Sequence, residues 1–204
     1  MNHQKEVLAF GVSLFNSYFT EDRITRLLQH VAISGSSIYL VIADLPVAHN
    51  LRAIGKNDSY IKGKIRHHGN NMINRCRRAV ERSGVEATIM TWEAIASSVV
   101  YRDGVLRFHK LYDEDAKFRL EARKVTSDVL FNKLQVVADE QQIDVAVSFL
   151  LEELAFLWWG DEILGKDIFA YAYHTEMKIL SDLIVGTYNI EARPSISHRV
   201  ISVE

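Results

Sequence analysis

Three groups of polar residues occupy positions where the sequence could carry chemistry. Ser13 directly follows the apolar run Val7–Val12, and Tyr173–His174 ends a similar run near the other end of the chain. Glu152–Glu153 interrupts a long apolar stretch. A serine hydroxyl can attack a carbonyl carbon and hold an acyl group as an ester, while a phenol or an imidazole can move the protons involved. Ligands of parallel sheets bind beyond the carboxyl ends of strands, so the three groups could meet in one pocket.

The serine taken alone has a less specific explanation. A serine after a strand is more often a turn or helix-capping residue than a nucleophile. The G-x-S-x-G elbow of α/β-hydrolases is not matched, because Phe15 stands two residues after Ser13 where that motif has glycine. A serine hydrolase acting on small esters is therefore the least favoured of three functional hypotheses.

The paired glutamates lie between Phe149–Leu151 and Leu154–Leu157, so one carboxylate should face the apolar side of a helix. Such a carboxylate is costly to bury unless it binds a cation or a hydrogen-bond donor. A metal site would need more ligands, and no His or Asp lies at helical spacing to supply them. We therefore predict no metal and favour the ammonium group of a substrate as the partner.

The segment from Lys62 to Arg82 is strongly basic inside a chain whose formal net charge is −2. Its cations are Lys62, Lys64, Arg66, Arg75, Arg77, Arg78 and Arg82, and its apolar stripe at helical spacing is Ile61, Ile65, Met72 and Cys76. Such a helix is typical of phosphate contacts with a nucleic acid, although many charged faces are only solvated. Since Tyr and Phe do not interleave with the cations, recognition of backbone and shape is expected rather than base stacking.

Composition and missing motifs restrict the class of protein. The chain has 204 residues, 48% of them hydrophobic, which suits a single domain over 1–204 with a proper core. Because neither a Walker A loop nor a G-x-G-x-x-G sequence occurs, an enzyme would need a substrate that arrives already activated, without ATP or a cofactor. With no secretory leader and no apolar run long enough for a membrane helix, we expect a cytoplasmic protein with no membrane partner, as a monomer or weak dimer.

Periodicity predicts alternating strands and helices. Short continuous apolar runs predict strands at 7–12 and 38–42. Further strands are predicted at 86–91, after the stop at Ser83–Gly84, and at 167–173. Amphipathic spacing predicts helices from a Thr20 cap to a stop at Ser34–Ser36, over 59–82, over 110–140 with Val137 on the inner face, over 142–158, and from a Thr175 cap to Ile184. This alternation is typical of a doubly wound parallel sheet of the α/β class. The tail 187–204 either adds an edge strand or stays loose.

Taken together, these groups resemble the motifs of the cyclodipeptide synthase family. The matching segments are Gly11–Ser13, Asn16–Phe19, the basic helix, Glu153–Phe156 and Tyr173–His174, in the family's order and over nearly the whole chain. The combination of Asn16 with Tyr173 and His174 is similar to one of the two subfamilies. The resemblance implies a Rossmann-like parallel sheet flanked by helices, similar to the catalytic domain of class I tyrosyl- and tryptophanyl-tRNA synthetases but without their ATP motifs.

The resemblance also implies a reaction. Ser13 would take an amino acid from a first aminoacyl-tRNA and hold it as an ester. A second aminoacyl-tRNA then supplies the amine, and the resulting dipeptidyl-enzyme cyclises to a diketopiperazine, which frees Ser13. The transfer from ester to ester is nearly balanced and the transfer from ester to amide runs downhill, so the reaction needs no ATP. A tRNA-binding module that keeps the fold without catalysis is the alternative hypothesis.

Residue roles follow from the same resemblance. Glu153 would bind the α-ammonium group of the first amino acid, Tyr173 would position Ser13 or relay protons, and Asn16 and His174 would brace the loop and the strand end. The substrate-binding positions would be Ala9, Gly11, Phe149 and Tyr171, and the cations of the basic helix would bind tRNA. The family usually has a tyrosine where this chain has Phe149, so either Glu153 suffices for the ammonium group or a residue such as Tyr171 replaces the missing hydroxyl.

Overall fold

The structure of the protein is a computed structural model that describes residues 6–32 and 37–203. Its strands are β1 (Val7–Ser13), β2 (Ser37–Ala43), β3 (Ala87–Thr91), β4 (Phe169–Tyr173) and β5 (Ile196–Val200). Its helices are α1 (Glu21–Val31), α2 (Val47–Ala53), α3 (Asp58–Ser83), α4 (Trp92–Ala96), α5 (Val99–Glu114), α6 (Ala116–Leu134), α7 (Glu140–Leu164) and α8 (Lys178–Ile184). The predicted end of the first helix at Ser34–Ser36 lies outside the described residues.

The strands form one parallel sheet in the order β3-β2-β1-β4-β5. The chain runs from β1 outward through β2 to β3 and then returns to β4 on the other side of β1. This reversal leaves a crevice between the carboxyl ends of β1 and β4, which is where ligands bind in sheets of this kind. The predicted Rossmann-like α/β class is confirmed, and β5 shows that the tail adds an edge strand.

The two faces of the sheet pack against different helices. Even-numbered residues of β1 and β4 belong to the apolar core that includes side chains of α1 and α3. Odd-numbered apolar residues of the same strands, such as Ala9 and Phe169, belong to the core that includes side chains of α5 and α7. Because side chains alternate along a strand, Ser13 and Tyr173 point to the α7 side of the sheet.

Capping side chains set the start of the helices that matter for the site. Thr20 accepts a hydrogen bond from the backbone N–H of Arg23 at 3.3 Å, as expected for the cap of α1. At the start of α7, Asp139 and Gln142 exchange side-chain and backbone hydrogen bonds in a capping box. This fixed start sets the register of the long apolar helix that carries Phe149 and Glu153.

The prediction of one helix over 110–140 is wrong. Asp115 ends α5 and caps α6, because its carboxylate accepts the backbone N–H of Phe118 at 3.0 Å. α6 ends at Gln135, whose φ of 56° lies in the left-handed region. Val137 therefore lies beyond the helix and is 86% exposed instead of facing inward. Apolar spacing continues across both breaks, so periodicity alone did not reveal them.

The remaining differences between the predicted and the observed elements concern the start of the last helix and helices that were not predicted. The final helix begins at Lys178, so Thr175 does not cap it. The helices α2 and α4 and most of α5 were not predicted. α2 and α4 span only 7 and 5 residues, which is too short for a periodic pattern to be recognised.

Candidate active site

The loop after β1 presents Ser13 at the crevice and is held in a fixed shape. Phe15 has a φ of 61°, a left-handed conformation that is uncommon for a bulky residue and persists only where the surroundings enforce it. Asn16 contributes to that enforcement, since its Oδ1 accepts the backbone N–H of Tyr18 at 2.9 Å. The loop is therefore pre-organised around Ser13.

Ser13 and Tyr173 end the two strands that flank the crevice, and their hydroxyl oxygens lie 3.0 Å apart. Asn16 Nδ2 donates to the same Tyr173 oxygen at 3.3 Å. Burial raises the pKa of Tyr173, as does the nearby negative charge of Glu153, whereas the hydrogen bonds with Ser13 and Asn16 lower it. The net shift is upward, so near neutral pH the phenol is protonated and can exchange a proton with the Ser13 hydroxyl.

His174 is packed among aromatic rings next to this pair. Its imidazole stacks on the Tyr18 ring with the ring centroids 4.1 Å apart and an interplanar angle of 15°. Phe19 meets it edge-on at 5.4 Å. Tyr18 in turn accepts the backbone N–H of Val203 at 3.0 Å through its hydroxyl. His174 thus connects the Ser13 loop, the end of β4 and the C-terminal tail.

A cavity of about 540 Å³ opens beside the Ser13–Tyr173 pair, on the α7 side of the sheet. One wall is formed by Ser13, Asn16, Tyr173 and His174, and α7 contributes Phe149, Leu150 and Glu153. Further walls come from α6 and from the segment between β4 and α8, and include Val125, Thr126, Val129 and Ile179. The nucleophile candidate and the carboxylate candidate therefore share one mostly apolar chamber.

The two glutamates of α7 have different surroundings. Glu153 lies on the cavity wall. Glu152 is held outside it, with its Oε1 2.8 Å from His49 Nε2 and its Oε2 3.3 Å from the Tyr101 hydroxyl that donates to it. The structure thus places one carboxylate of the pair in the chamber and uses the other to attach α2 and α5 to α7.

Three of the predicted substrate-binding positions lie below the cavity instead of lining it. Ala9 and Tyr171 are 0% and 1% exposed and belong to the core between the sheet and α7. A Cβ atom on Gly11 would lie 1.9 Å from the Tyr171 hydroxyl oxygen, so the glycine makes room for this phenol. Burial and the negative charge of Glu153 raise the pKa of Tyr171. Within the described part of the chain, its hydroxyl has no hydrogen-bond partner.

The basic helix is α3, and its first half adjoins the Ser13 loop. The ring of Phe15 lies 4.8 Å from the ring of His68 and 5.9 Å from Lys64 Nζ. Lys62 and Arg66 are exposed nearby on the same half. A polyanion on this half of α3 would lie next to the loop that carries Ser13.

The positive charge on the second half of α3 is partly offset by contacts with other residues of the protein. Arg75 donates to the backbone carbonyl of Phe19 at 2.7 Å. Arg78 lies 2.7 Å from Glu21, and Arg82 lies 2.7 Å from Asp22 and 3.3 Å from Glu21. Arg77 is exposed and donates to Asn74 at 3.4 Å. The predicted cationic face is thus present, but its free charge is concentrated in the first half of the helix.

The buried thiol of Cys76 packs in the core beneath α3 and is 0% exposed. Burial raises its pKa to about 12, and the cationic neighbour Arg75 opposes this shift only in part. The thiol is therefore an inert core group, which agrees with its place in the predicted apolar stripe of the helix. Within residues 6–32 and 37–203, no group of three His, Cys, Asp or Glu side chains is placed to hold a metal ion. No helix in those ranges is long and apolar enough to cross a membrane.

Sequence reasoning did not identify Asn50, Thr126 or the other cavity residues of α2 and α6. Asn50 and Thr126 are 5% and 4% exposed, although both are polar and both line the chamber. No motif contains them, and the faces that α2 and α6 turn to the site depend on helix packing. The only available signal was the amphipathic spacing of α6, which indicates an inner face without saying what lies opposite.

The chain is similar in sequence to cyclodipeptide synthases. The model of the family described as cyclodipeptide synthase matches residues 2–203. The cyclo(L-leucyl-L-leucyl) synthase of Bacillus subtilis (strain 168) is 23% identical over 202 residues, which cover 94% of this chain and 80% of that protein. The cyclo(L-leucyl-L-leucyl) synthase of Staphylococcus haemolyticus (strain JCSC1435) is 18% identical over 195 residues, which cover 92% of this chain and 83% of that protein.

Solved structures show the same fold. A cyclodipeptide synthase from Bacillus thermoamylovorans superimposes with a TM-score of 0.86 at 20% identity, covering 98% of this chain and 90% of that one. A tyrosyl-tRNA synthetase from Archaeoglobus fulgidus superimposes with a TM-score of 0.55 at 13% identity, covering 92% of this chain and 53% of that one. The sheet and its flanking helices are therefore shared with a class I synthetase as well as with the family.

Proposed function

The chain belongs to the cyclodipeptide synthase family, and from this premise we propose that it makes a cyclic dipeptide from two aminoacyl-tRNAs through an ester on Ser13. The observation that carries this proposal is the 3.0 Å contact between the Ser13 and Tyr173 hydroxyls at the sheet crevice, beside a chamber that Glu153 also lines. A nucleophile, a proton-transfer group and a carboxylate for the substrate ammonium thus adjoin a single space.

In the first step, Ser13 Oγ bonds to the carbonyl carbon of an aminoacyl ester, and the bond from that carbon to the tRNA ribose oxygen breaks. The Ser13 proton passes to the Tyr173 oxygen while the Tyr173 proton moves on, so the ribose oxygen leaves as a hydroxyl. The raised pKa of Tyr173 suits such a relay, because a neutral phenol donates and accepts at the same time. Glu153 fixes the amino acid by pairing with its ammonium group.

In the second step, a dipeptidyl-enzyme forms only if the attacking amine belongs to the amino acid already held on Ser13. That amine attacks the ester carbonyl of the second aminoacyl-tRNA, and its proton ends on the departing ribose oxygen. If the second aminoacyl-tRNA supplied the amine, as expected from the sequence, the attack would release Ser13 and leave the dipeptide on the RNA. We therefore reverse that assignment: the amino acid on Ser13 supplies the amine, and the second aminoacyl-tRNA supplies the carbonyl. The amine of the new dipeptide finally attacks the Ser13 ester, closes the ring and restores the serine hydroxyl.

The bracing residues keep Ser13 and Tyr173 in register. Asn16 links the Ser13 loop to Tyr173, and His174 is clamped between the rings of Tyr18 and Phe19. We assign both a positioning role, which agrees with the proposed subfamily. Glu153 alone holds the ammonium group in this scheme, because the Tyr171 hydroxyl is fully buried against Gly11 and Phe149 has no hydroxyl.

The tRNA would bind along the first half of α3. Lys62, Lys64 and Arg66 lie on the half that adjoins the Ser13 loop, whereas Arg78 and Arg82 are paired with acids of α1. Reversing the charge of Lys62 and Arg66 should weaken tRNA binding about tenfold or more and flatten its salt dependence. Reversing the charge of Arg78 and Arg82, which changes the net charge by the same amount, is the matched control and should change binding less. Equal effects at both places would contradict this assignment.

The side chain carried by the substrate is expected to be aliphatic. The chamber wall contains an apolar patch that can bury an aliphatic group, formed by Val125, Val129, Phe149, Leu150 and Ile179, beside polar residues such as Lys124, Thr126 and Asp128. The relatives named cyclo(L-leucyl-L-leucyl) synthase make leucine the first amino acid to test.

The decisive experiment compares the protein with Ser13→Ala and Ser17→Ala. Ser17 is an exposed serine of the same loop and serves as the control. Bacterial cells that express the protein should release a new cyclic dipeptide detectable by mass spectrometry, and the purified protein mixed with leucyl-tRNA should gain the mass of an aminoacyl group. Ser13→Ala should lose both signals and keep its fold, while Ser17→Ala should keep both.

The other hypotheses predict different outcomes of the same experiment. A tRNA-binding module without catalysis would bind charged tRNA and form neither adduct nor product. A hydrolase would turn over a generic ester in the absence of tRNA. Product formation by Ser13→Ala would show that the nucleophile is a different residue.

A further inference from the structure

Asn50 is a largely buried residue whose side chain faces the chamber. The residue is 5% exposed and lines the cavity together with Ser13 and Phe149. In the described ranges of the chain, its side chain makes no hydrogen bond, unlike the amide of Asn16 nearby. The amide group is therefore available to a ligand that enters the chamber.

The helix that carries Asn50 is fixed relative to the nucleophile. The preceding residue, His49, lies 2.8 Å from Glu152 of α7, and Tyr101 donates to the same carboxylate at 3.3 Å. Ser13, Asn50 and Phe149 also meet in a narrow apolar recess next to the chamber. Asn50 therefore reaches the space beside Ser13 from a pre-organised position.

Acyl transfer to Ser13 creates a need for a hydrogen-bond donor close to the serine. Thr126 is another unpaired donor on the chamber wall, but in the recess at Ser13 the described lining residues include one further polar side chain, that of Asn50. When Ser13 Oγ attacks, the carbonyl oxygen of the substrate gains negative charge and requires a hydrogen-bond donor. The hydroxyls of Ser13 and Tyr173 are engaged with each other and with the moving proton, and Asn16 donates to Tyr173 and accepts from the chain. An ionised Glu153 can only accept hydrogen bonds.

From these observations we propose that Asn50 binds the acyl group of the substrate and donates a hydrogen bond from Nδ2 to its carbonyl oxygen during transfer to Ser13. This role rests on the proposed function, because it needs an ester that reacts at Ser13. In this role Asn50 contacts the substrate from α2, which forms a different wall of the chamber from the one that carries Ser13 and Tyr173.

The test measures the rate of adduct formation in a single turnover with leucyl-tRNA, or with tRNA charged with whichever amino acid the released product contains. Asn50→Leu keeps the approximate volume and removes the amide, and Asn50→Asp keeps the shape and removes the Nδ2 donor. Both variants should acylate about 100-fold more slowly than the wild type. Arg52→Leu, which alters an exposed residue of the same helix that pairs with Asp58, should acylate at the wild-type rate.

Thermal unfolding separates a substrate contact from a structural role. Because the amide has no protein partner to lose, the Tm of Asn50→Leu should stay unchanged or rise. If Asn50→Leu fails to fold, the test rests on Asn50→Asp. Slow acylation of Asn50→Asp at an unchanged Tm supports the proposal. The proposal is overturned if either variant acylates at the wild-type rate. It is also overturned if both variants lose acylation only because they unfold. A wild-type protein that forms no adduct overturns the proposed function and this role with it.

Discussion

Replacing Gly11 with alanine should destabilise the protein through a specific collision with Tyr171. The new Cβ would lie 1.9 Å from the Tyr171 hydroxyl oxygen and 2.8 Å from the ring carbon that bears it. The Tyr171 ring is 1% exposed and cannot swing into solvent. Overpacking of this kind costs about 1–3 kcal/mol. For a chain of this size, each kcal/mol lowers the Tm by about 2–4 °C, so a fall of about 2–12 °C is expected.

The same geometry predicts how Tyr171→Phe behaves. The hydroxyl is buried and has no partner among the described residues, so its removal should leave stability unchanged or raise it by about 1 kcal/mol. In the double variant, the shortest contact of the new Cβ lengthens from 1.9 Å to 2.8 Å. The double variant should therefore be more stable than the sum of the single effects predicts, with a coupling of about 1 kcal/mol.

Urea and thermal unfolding of the wild type, both single variants and the double variant measure this coupling. Gly63→Ala is the matched control, because no heavy atom lies within 4 Å of a Cβ at that exposed position of α3. Alanine there should stabilise the helix by up to about 1 kcal/mol. The reasoning is refuted if Gly11→Ala costs less than about 0.5 kcal/mol, or if the Gly11 and Tyr171 effects are additive.

Three further predictions concern groups outside the crevice. The Cys76 thiol, buried with a pKa raised to about 12, should not react with a thiol reagent at pH 8 until the protein unfolds, and fast labelling of the native state would contradict its burial. Asp161→Asn removes a buried carboxylate that lies 2.8 Å from Arg193 and should lower stability by about 3 kcal/mol, measured by urea unfolding; a change below about 1 kcal/mol would show that the pair is not needed. Backbone hydrogen bonds, chiefly from Phe118, lower the pKa of Asp115, so its stabilising contribution is complete above the unfolded pKa and disappears as the pH falls toward the folded value. Asp115→Ala should therefore cost about 1 kcal/mol at pH 7 and less below pH 4, and an equal cost at both would refute the capping role.

Several features could be predicted because they depend on local pattern. Continuous apolar runs marked β1, β2 and β4, since strands buried on both faces leave no room for polar alternation. The Thr20 cap and the apolar stripe of α3 are likewise local, and both are observed. The position of Ser13 at a strand end followed from the run before it. Once the alternation of strands and helices was read as a parallel sheet, its carboxyl edge was the expected place for the site.

Other features could not be predicted because they depend on elements that meet only after folding. The break at Asp115 and the short helix α2 leave no periodic signal, so the position of Asn50 on the chamber wall could not be predicted, and the spacing of α6 did not show that Thr126 faces the chamber. The pairing of Arg78 and Arg82 with acids of α1 depends on how α1 and α3 pack, and it shifts the free charge of α3 to its first half.

The sequence by itself determined which groups could react and at which strand end they stand, because residue type and apolar spacing are local properties. Only the tertiary structure decided which groups meet. The return of β4 beside β1 brings the Tyr173 hydroxyl to 3.0 Å from Ser13, although 160 positions separate them in the chain. The register of α7 turns Glu153 to the chamber and Glu152 to His49. A sequence fixes neither outcome locally, because both depend on the packing of helices against a twisted sheet.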